Sequence, residues 1–377
     1  MKIAFVVVIL ASTAVAFAGK CEDAVPECVR KLENGERCDP LPVPDRLLET
    51  IPQIPDVGYK IQKLRNMVYM VTDGFFIAMV IKTPRQLVVI DAPENFFVVR
   101  DPNTGAVIGN LMTNAIEDIA GDLNPKIVRF IYTHQHFDHI GGARIVYDYL
   151  KKTYPKADLK AMAHESILKR LASAQSKRAP LPEVVIIRSR SLRLTKNLKV
   201  NLIPTDGGHS DSDLLVHIPP KAGMPGIAML VDIAFPGWIT PFGIGLVNDI
   251  NEYIDQHERL LALDWEIYIG GHLGQPGNRA DIEISEEYIR DMVDIAAQSL
   301  ALGLGQPIPE LQEAFDPTSP NFGNQMRAIQ GVFGMEGIFV GICEALLVEK
   351  WGCRLGGVDI FSREHCFAAV TFQRLDN

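Results

Sequence analysis

Thr133-His134-Gln135-His136-Phe137-Asp138-His139-Ile140-Gly141-Gly142 decides how the rest of this 377-residue chain is read. Three of the chain's nine histidines, together with an aspartate, fall inside six consecutive positions, a density that chance placement rarely gives. The stretch follows an apolar run of β character, Lys126-Ile127-Val128-Arg129-Phe130-Ile131-Tyr132, and leads into a helix-like segment over residues 143–154. Side chains alternate faces along extended backbone, so His134 and His136 point the same way. Asp138 and His139 fall in the turn into the helix, where neighbouring side chains diverge toward two points. Imidazole and carboxylate belong to the ligand set of zinc, whose bonds of about 2 Å require donors to converge on one small volume.

Working outward, short strands are expected over residues 59–63, 66–71, 75–81 and 86–90, with Asp73 or Gly74 in a tight turn. The last is apolar throughout and ends at Asp91, a carboxylate placed to support a ligand histidine from behind. Residues 92–110 read as a long loop carrying Phe96-Phe97, an aromatic pair able to cover a site. A helix over 111–120 precedes the His-rich stretch, and strand-like and helix-like segments alternate after it (159–162, 165–174, 183–187, 198–203), the texture of an α/β protein. Residues 173–190 are locally basic but broken by Pro180 and Pro182, and read as solvated surface.

Three further strand ends offer metal-type donors. His209 sits on the turn Gly207-Gly208-His209-Ser210. Asp232 follows a buried strand over 226–231, where a carboxylate is costly to bury unless paired or metal-bound. His272 emerges in Gly270-Gly271-His272-Leu273-Gly274 after a strand over 266–269. His217 lies inside a strand over 214–218 and reads as a face residue, not a ligand. Phe235, Trp238 and Phe242 follow Asp232 closely enough to wall a substrate. An amphipathic helix is expected over 249–261. Donors at successive strand ends line one edge of a sheet, where such sites are built.

Composition limits the function. A net charge of −9 without a Lys/Arg block excludes a nucleic-acid partner of the usual electrostatic kind. A small-molecule substrate, even an anionic one, stays open because bound metal ions dominate the field of a site. Residues 1–18 read as a secretory signal, with Lys2, the apolar core Ile3 to Leu10 and Ala16-Phe17-Ala18 before a mature start at Gly19. That run is too short to span a membrane comfortably. No stable membrane anchor is expected, and the location is secreted or periplasmic. Cys21, Cys28 and Cys38 lie near one end, Cys343, Cys353 and Cys366 near the other. If all pair, three is odd, so at least one bridge joins the two ends and closes a loop of about 300 residues, worth at most roughly 5 kcal/mol on chain entropy. The remaining connectivity is open. The organisation expected is a signal (1–18), a cysteine-containing arm (19–58), a main α/β domain carrying the His-rich stretch (59–275) and a helical extension (276–377).

The order His134-x-His136-x-Asp138-His139, His209, Asp232, His272 resembles the metallo-β-lactamase superfamily over about residues 59–274, and within it the glyoxalase II and lactonase type. The resemblance implies a four-layer αβ/βα sandwich of the α/β class, here with a helical, cysteine-bearing C-terminal extension. It implies that His134, His136 and His209 hold one metal ion and Asp138, His139 and His272 a second, with Asp232 bridging and Asp91 behind the ligands. Two zinc ions are the implied cofactor, iron or manganese the alternatives. The true class B β-lactamases mostly carry cysteine where Asp232 stands, flavo-diiron proteins carry glutamate where His136 stands, and no inserted nuclease domain is visible. The implied activity is hydrolysis of an ester, lactone, thioester or amide of a small molecule by metal-bound hydroxide, with Asp138 orienting it and passing on its proton. Hydrolysis of a phosphoric or sulfuric ester is the rival on the same site. A non-catalytic exported metal-binding or matrix protein and an iron dioxygenase acting on persulfides are more distant alternatives. Substrate identity and oligomeric state are not fixed by the sequence.

Overall fold

The computed structural model describes residues 21–94, 98–100, 104, 107–205, 207–244, 246–247, 249–303, 307, 309–333 and 337–375. Its strands are β1 (Lys60–Arg65), β2 (Val68–Thr72), β3 (Ile77–Lys82), β4 (Gln86–Ile90), β5 (Val98–Arg100), β6 (Val107–Asn110), β7 (Ile127–Ile131), β8 (Asp158–His164), β9 (Val184–Ile186), β10 (Arg190–Arg193), β11 (Lys199–Pro204), β12 (Leu214–Ile218), β13 (Ile227–Met229) and β14 (Ile267–Ile269). Its helices are α1 (Cys21–Glu33), α2 (Asp45–Leu48), α3 (Leu111–Ala120), α4 (Phe137–Ile140), α5 (Ala143–Thr153), α6 (Glu165–Ser173), α7 (Ile250–Leu261), α8 (Arg279–Gly303), α9 (Pro309–Phe315), α10 (Gln325–Phe333), α11 (Ile338–Trp351) and α12 (Val358–Leu375).

Two sheets stack face to face. One runs β1-β2-β3-β4-β7-β8-β9, the other β10-β11-β12-β13-β14. The period of two along each strand sorts side chains between layers. Met79, Ile81, Val88 and Ile90 of the first sheet meet Val200, Leu202, Val216 and Met229 of the second. Ala78, Val80, Leu87 and Val89 face the other way, against α3 and α5. On the far side Leu215, Ala228 and Tyr268 pack against α7, α8, α11 and α12. Apolar cover on both faces explains why β3 and β4 read as nearly unbroken apolar runs. The result is the four-layer αβ/βα order.

β4, β7, β8 and β9 are parallel neighbours, as are β13 and β14. Parallel neighbours need crossovers, supplied by helices such as α3, α5 and α7. The carboxyl ends of β4, β7, β13 and β14 therefore gather at one edge, and Asp91, His134, Asp232 and His272 lie just beyond them.

The cysteines pair as Cys21–Cys353, Cys28–Cys38 and Cys343–Cys366. Cys21–Cys353, 332 residues apart in sequence, is the bridge between the two ends that parity requires. The N-terminal arm is more ordered than its charge and prolines indicate. α1 tolerates Pro26 in its interior and turns Cys21, Val25, Cys28, Val29 and Leu32 onto the core of the C-terminal helices. The loop expected over 92–110 contains the hairpin β5–β6. The basic surface expected to end at Arg190 runs on into β10, an edge strand with only Leu192 turned inward, so its polar letters conceal a strand. The signal segment 1–18 and Phe96-Phe97 lie outside the described residues. Among the described residues no helix is long and apolar enough to cross a membrane.

Candidate metal centre

The His-rich stretch leaves β7 extended through Thr133 and closes into the single turn α4 at Phe137. It is clipped to the end of β4: the Ala92 N–H donates to His139 O at 2.8 Å, and the Gly142 N–H donates to Ala92 O at 2.8 Å. A Cβ on Gly142 would lie 2.9 Å from that carbonyl oxygen, so only glycine allows the approach. Gly271, at φ +89°, does the same for His272, since a Cβ there would meet Val231 at 2.5 Å and His139 at 3.1 Å. Asp91 and Asp232, each the residue one or a few steps past a strand, both adopt φ +64°. A non-glycine residue holds that conformation only where its surroundings impose it.

The structure brings seven of the sequence-derived residues into two donor groups, His134, His136, His209 and Asp232, and Asp138, His139, His272 and Asp232. In the first group His209 Nε2 lies 3.3 Å from His134 Nε2 and 3.0 Å from His136 Nδ1. Asp232 Oδ2 lies 3.4 Å from His134 Nε2 and 3.3 Å from His209 Nε2. In the second, His139 Nε2 lies 3.1 Å from His272 Nε2, and Asp138 Oδ2 lies 3.4 and 3.6 Å from the same two nitrogens. Asp232 joins the groups: its Oδ2 is 3.1 Å from His139 Nε2 and its Oδ1 3.0 Å from His272 Nε2.

These spacings test whether a metal fits. Donors bonded tetrahedrally to one ion at about 2.0–2.1 Å stand roughly 3.3 Å apart. Five buried or half-buried imidazoles aim ring nitrogens at one another at this distance, where at most one nitrogen of a pair can donate a proton to the other. Asp232 Oδ1 is buried without a hydrogen bond donated to it among the described residues. Nitrogens and carboxylates so crowded suit shared cations better than mutual hydrogen bonding, and the residues fit a divalent metal.

The field of the cluster is polarised. Burial holds His134 well below the usual imidazole range and His136 down at about 4. Burial works against the charged forms of Asp232 and Asp138 as well, but the neighbouring histidines outweigh it. Asp232 lies well below the ordinary carboxylate range and Asp138 at about 2. Both stay ionised at neutral pH, as ligands must. For His139 the order reverses: burial disfavours its cation, and Asp232 and Asp138 overcome that and raise it.

Support differs between the groups. Asp91 does not touch a ligand histidine. It accepts from the Thr133 N–H at 2.9 Å and the Thr133 hydroxyl at 2.7 Å, and Thr133 Oγ1 is 3.3 Å from His134 Nδ1. Burial raises its carboxyl to about 6. Behind His209, Asp213 accepts from the Ser210 N–H and hydroxyl, and Ser212 bonds Gln135. Around His272 the neighbours are aromatic: Phe235 stacked at 5.6 Å, Phe76 at 5.2 Å and Phe75 edge-on at 5.5 Å. Asp73 fixes that turn by accepting from the Phe75 and Phe76 N–H groups at 2.6 and 2.9 Å. Of the aromatics singled out in the sequence, Phe235 borders the donors. Trp238 instead packs on Gly356, and Phe242 lies 5.6 Å from Phe361. Phe75 and Phe76 are not among the residues expected at the site. A Phe-Phe pair directly after Asp73-Gly74 is the signal the sequence offers for them.

Comparison with known proteins points to the same fold. The model of the metallo-β-lactamase superfamily matches residues 89–225. No curated protein matches the chain in sequence. Among solved structures, a sec-alkylsulfatase, Pisa1 from Pseudomonas sp., is 15% identical with a TM-score of 0.51, over 84% of this chain and 50% of that one. This chain thus spans about half of that enzyme. A metallo-β-lactamase from Hirschia baltica is 20% identical with a TM-score of 0.43, over 61% of this chain and 97% of that one. VMB-1 is 16% identical with a TM-score of 0.46, over 63% and 99%. The family match over residues 89–225, the two-sheet sandwich and the donor set at its edge together give the chain the metallo-β-lactamase fold with the candidate metal site of a metal-dependent hydrolase.

Proposed function

We propose that the protein is an exported, dinuclear zinc hydrolase that cleaves an ester, lactone, thioester or amide of a small, largely apolar molecule. The observation that carries this reading is Asp232, whose two carboxylate oxygens address both donor groups at 3.0–3.4 Å. A residue so shared has little use in a site for one ion. When bound, a pair of divalent cations supplies Lewis acidity toward a carbonyl and lowers the pKa of nearby water.

The chain's own residues supply the rest. Asp138 is ionised and remains 29% exposed at its side chain, so its free oxygen can accept a proton from an attacking water and return it to the leaving group. The Asp91–Thr133 pair keeps His134 oriented from behind. Phe75 and Phe235 present carbon to the substrate side and keep solvent from the reacting atoms, which strengthens the electrostatics there. Three disulfides suit an oxidising compartment and support export.

The test is a hydrolysis panel on the zinc-loaded protein: lactones, acyl esters, thioesters, a β-lactam, an aryl phosphate and an alkyl sulfate. The last enters because the fold is shared with an enzyme named for alkyl sulfates. The expected result is turnover of a carboxylic substrate that falls on the order of 10²–10⁴-fold in Asp138→Ala. Turnover of the sulfate or phosphate alone would transfer the site to that chemistry. Bound zinc with no turnover would mark a metal-binding protein.

A further inference from the structure

Five of the seven donors, His134, His136, His209, Asp232 and His272, lie outside the helices and strands, and one helix reaches two of the segments that carry them. Asp232 lies past the end of β13 in a left-handed conformation. Its N–H donates to Gly270 O at 3.1 Å. Its carbonyl, with that of Ile233, faces the Tyr253 hydroxyl of α7 at 3.1 and 2.7 Å. Carbonyls only accept and a tyrosine has one proton, so the hydroxyl donates here. Thr240 Oγ1, 3.0 Å away, must then donate to Tyr253. The carbonyl of Thr240 in turn accepts from His365 Nε2 of α12 at 2.8 Å, and His365 Nδ1 accepts from the Tyr288 hydroxyl of α8 at 2.7 Å. Every member is buried. The donor direction is therefore fixed along the whole chain, from the disulfide-stapled C-terminal helices to the backbone of Asp232.

One turn further along α7, Gln256 serves the other segment. Its Nε2 donates to Gly207 O and to Asp213 Oδ2, the latter at 3.1 Å. These groups flank His209. A Cβ on Gly208 would lie 2.5 Å from the Gln256 amide, so the turn before His209 lies directly on the helix. His257 faces away and is anchored to Ser285 of α8 at 3.0 Å.

We propose that α7 is a positioning helix for the metal centre, with Tyr253 setting Asp232 and therefore both donor groups, and Gln256 setting His209 and therefore the first group alone. Neither side chain touches a metal position. The inference rests on the metal reading of the site and not on any substrate.

Cobalt(II) titration of the full-length protein stripped by chelation, followed by its visible absorption, tests it without an activity assay. Tyr253→Phe should weaken both cobalt ions tenfold or more, the usual range for residues that orient ligands. Gln256→Leu should weaken one ion to that extent and leave the other as in wild type. Ser285→Ala removes an equally buried bond from the opposite flank of the same helix, and should lower the melting temperature while leaving both affinities unchanged. Wild-type cobalt binding in Tyr253→Phe and Gln256→Leu, or equal weakening in Ser285→Ala, overturns the proposal. Should Tyr253→Phe fail to fold, Gln256→Leu against Ser285→Ala decides it. A wild-type protein that binds no cobalt would overturn the metal reading together with this one.

Discussion

The two donor groups share Asp232 but are built from different materials. The first, His134, His136 and His209, is backed by polar clips: Thr133–Asp91, Ser212–Gln135, and Asp213 on Ser210. The second, Asp138, His139 and His272, is bordered by phenylalanine rings. Hydrogen bonds fix direction, at the ring for His134 and through the neighbouring Ser210 for His209, whose own Nδ1 has no partner among the described residues. Rings fix only volume and exclude water. The second group also holds two half-buried donors, Asp138 at 29% and His272 at 11% side-chain exposure, beside a fully buried His139, whereas in the first only His136 is half-buried and His134 and His209 are at 1% and 4%. On the proposed function, the contrast divides the site into a half organised to hold an ion and a half that also meets the substrate.

His209→Ala against His272→Ala breaks the comparison most sharply. Both lose one ligand, so hydrolysis of the panel's best substrate should fall on the order of 100-fold or more in each. The difference lies in what survives. His209→Ala also leaves its polar clip without purpose and should lose the first ion outright at micromolar free zinc. His272→Ala should retain the first ion and lose the second. Identical metal losses in the two variants would contradict the division.

A smaller effect sharpens the same contrast from the substrate side. Phe75 is 53% exposed, so Phe75→Ala disturbs little of the fold. KM for an apolar substrate should rise roughly 3- to 10-fold, as expected for about 1 kcal/mol of lost apolar contact. Metal content should not change. An unaltered KM would remove the aromatic border from the binding surface.

How much of the site and fold is legible in the sequence depends on where each signal lies. The donors of the His-rich stretch announce themselves because four of them share one turn. Asp232 and His272 are visible as polar residues ending apolar strands. The α/β class is legible in the alternation of strand-like and helix-like segments, and the covered faces of β4 in its unbroken apolar run, whereas the four-layer sandwich is what the family resemblance implies. Other parts have no local signature. Tyr253 and Gln256 fall on the buried stripe of an ordinary amphipathic helix, and only the tertiary path of α7 past two loops gives them partners. The disulfide partner of Cys21 is not legible because it depends on α1 meeting the C-terminal helices, a contact between chain ends, and that of Cys343 because it depends on how α11 packs on α12. α1 itself is hidden by its proline and its charges, and β10 by having a single inward residue.

The central claim is that seven side chains hold a pair of ions through one shared aspartate. Metal analysis of the purified protein, wild type beside Asp232→Ala, tests it most directly. The account predicts two equivalents of a divalent metal, zinc foremost, in the wild type and less than one in the variant. Two equivalents retained in Asp232→Ala, or none bound by wild type prepared with zinc in excess, would contradict it.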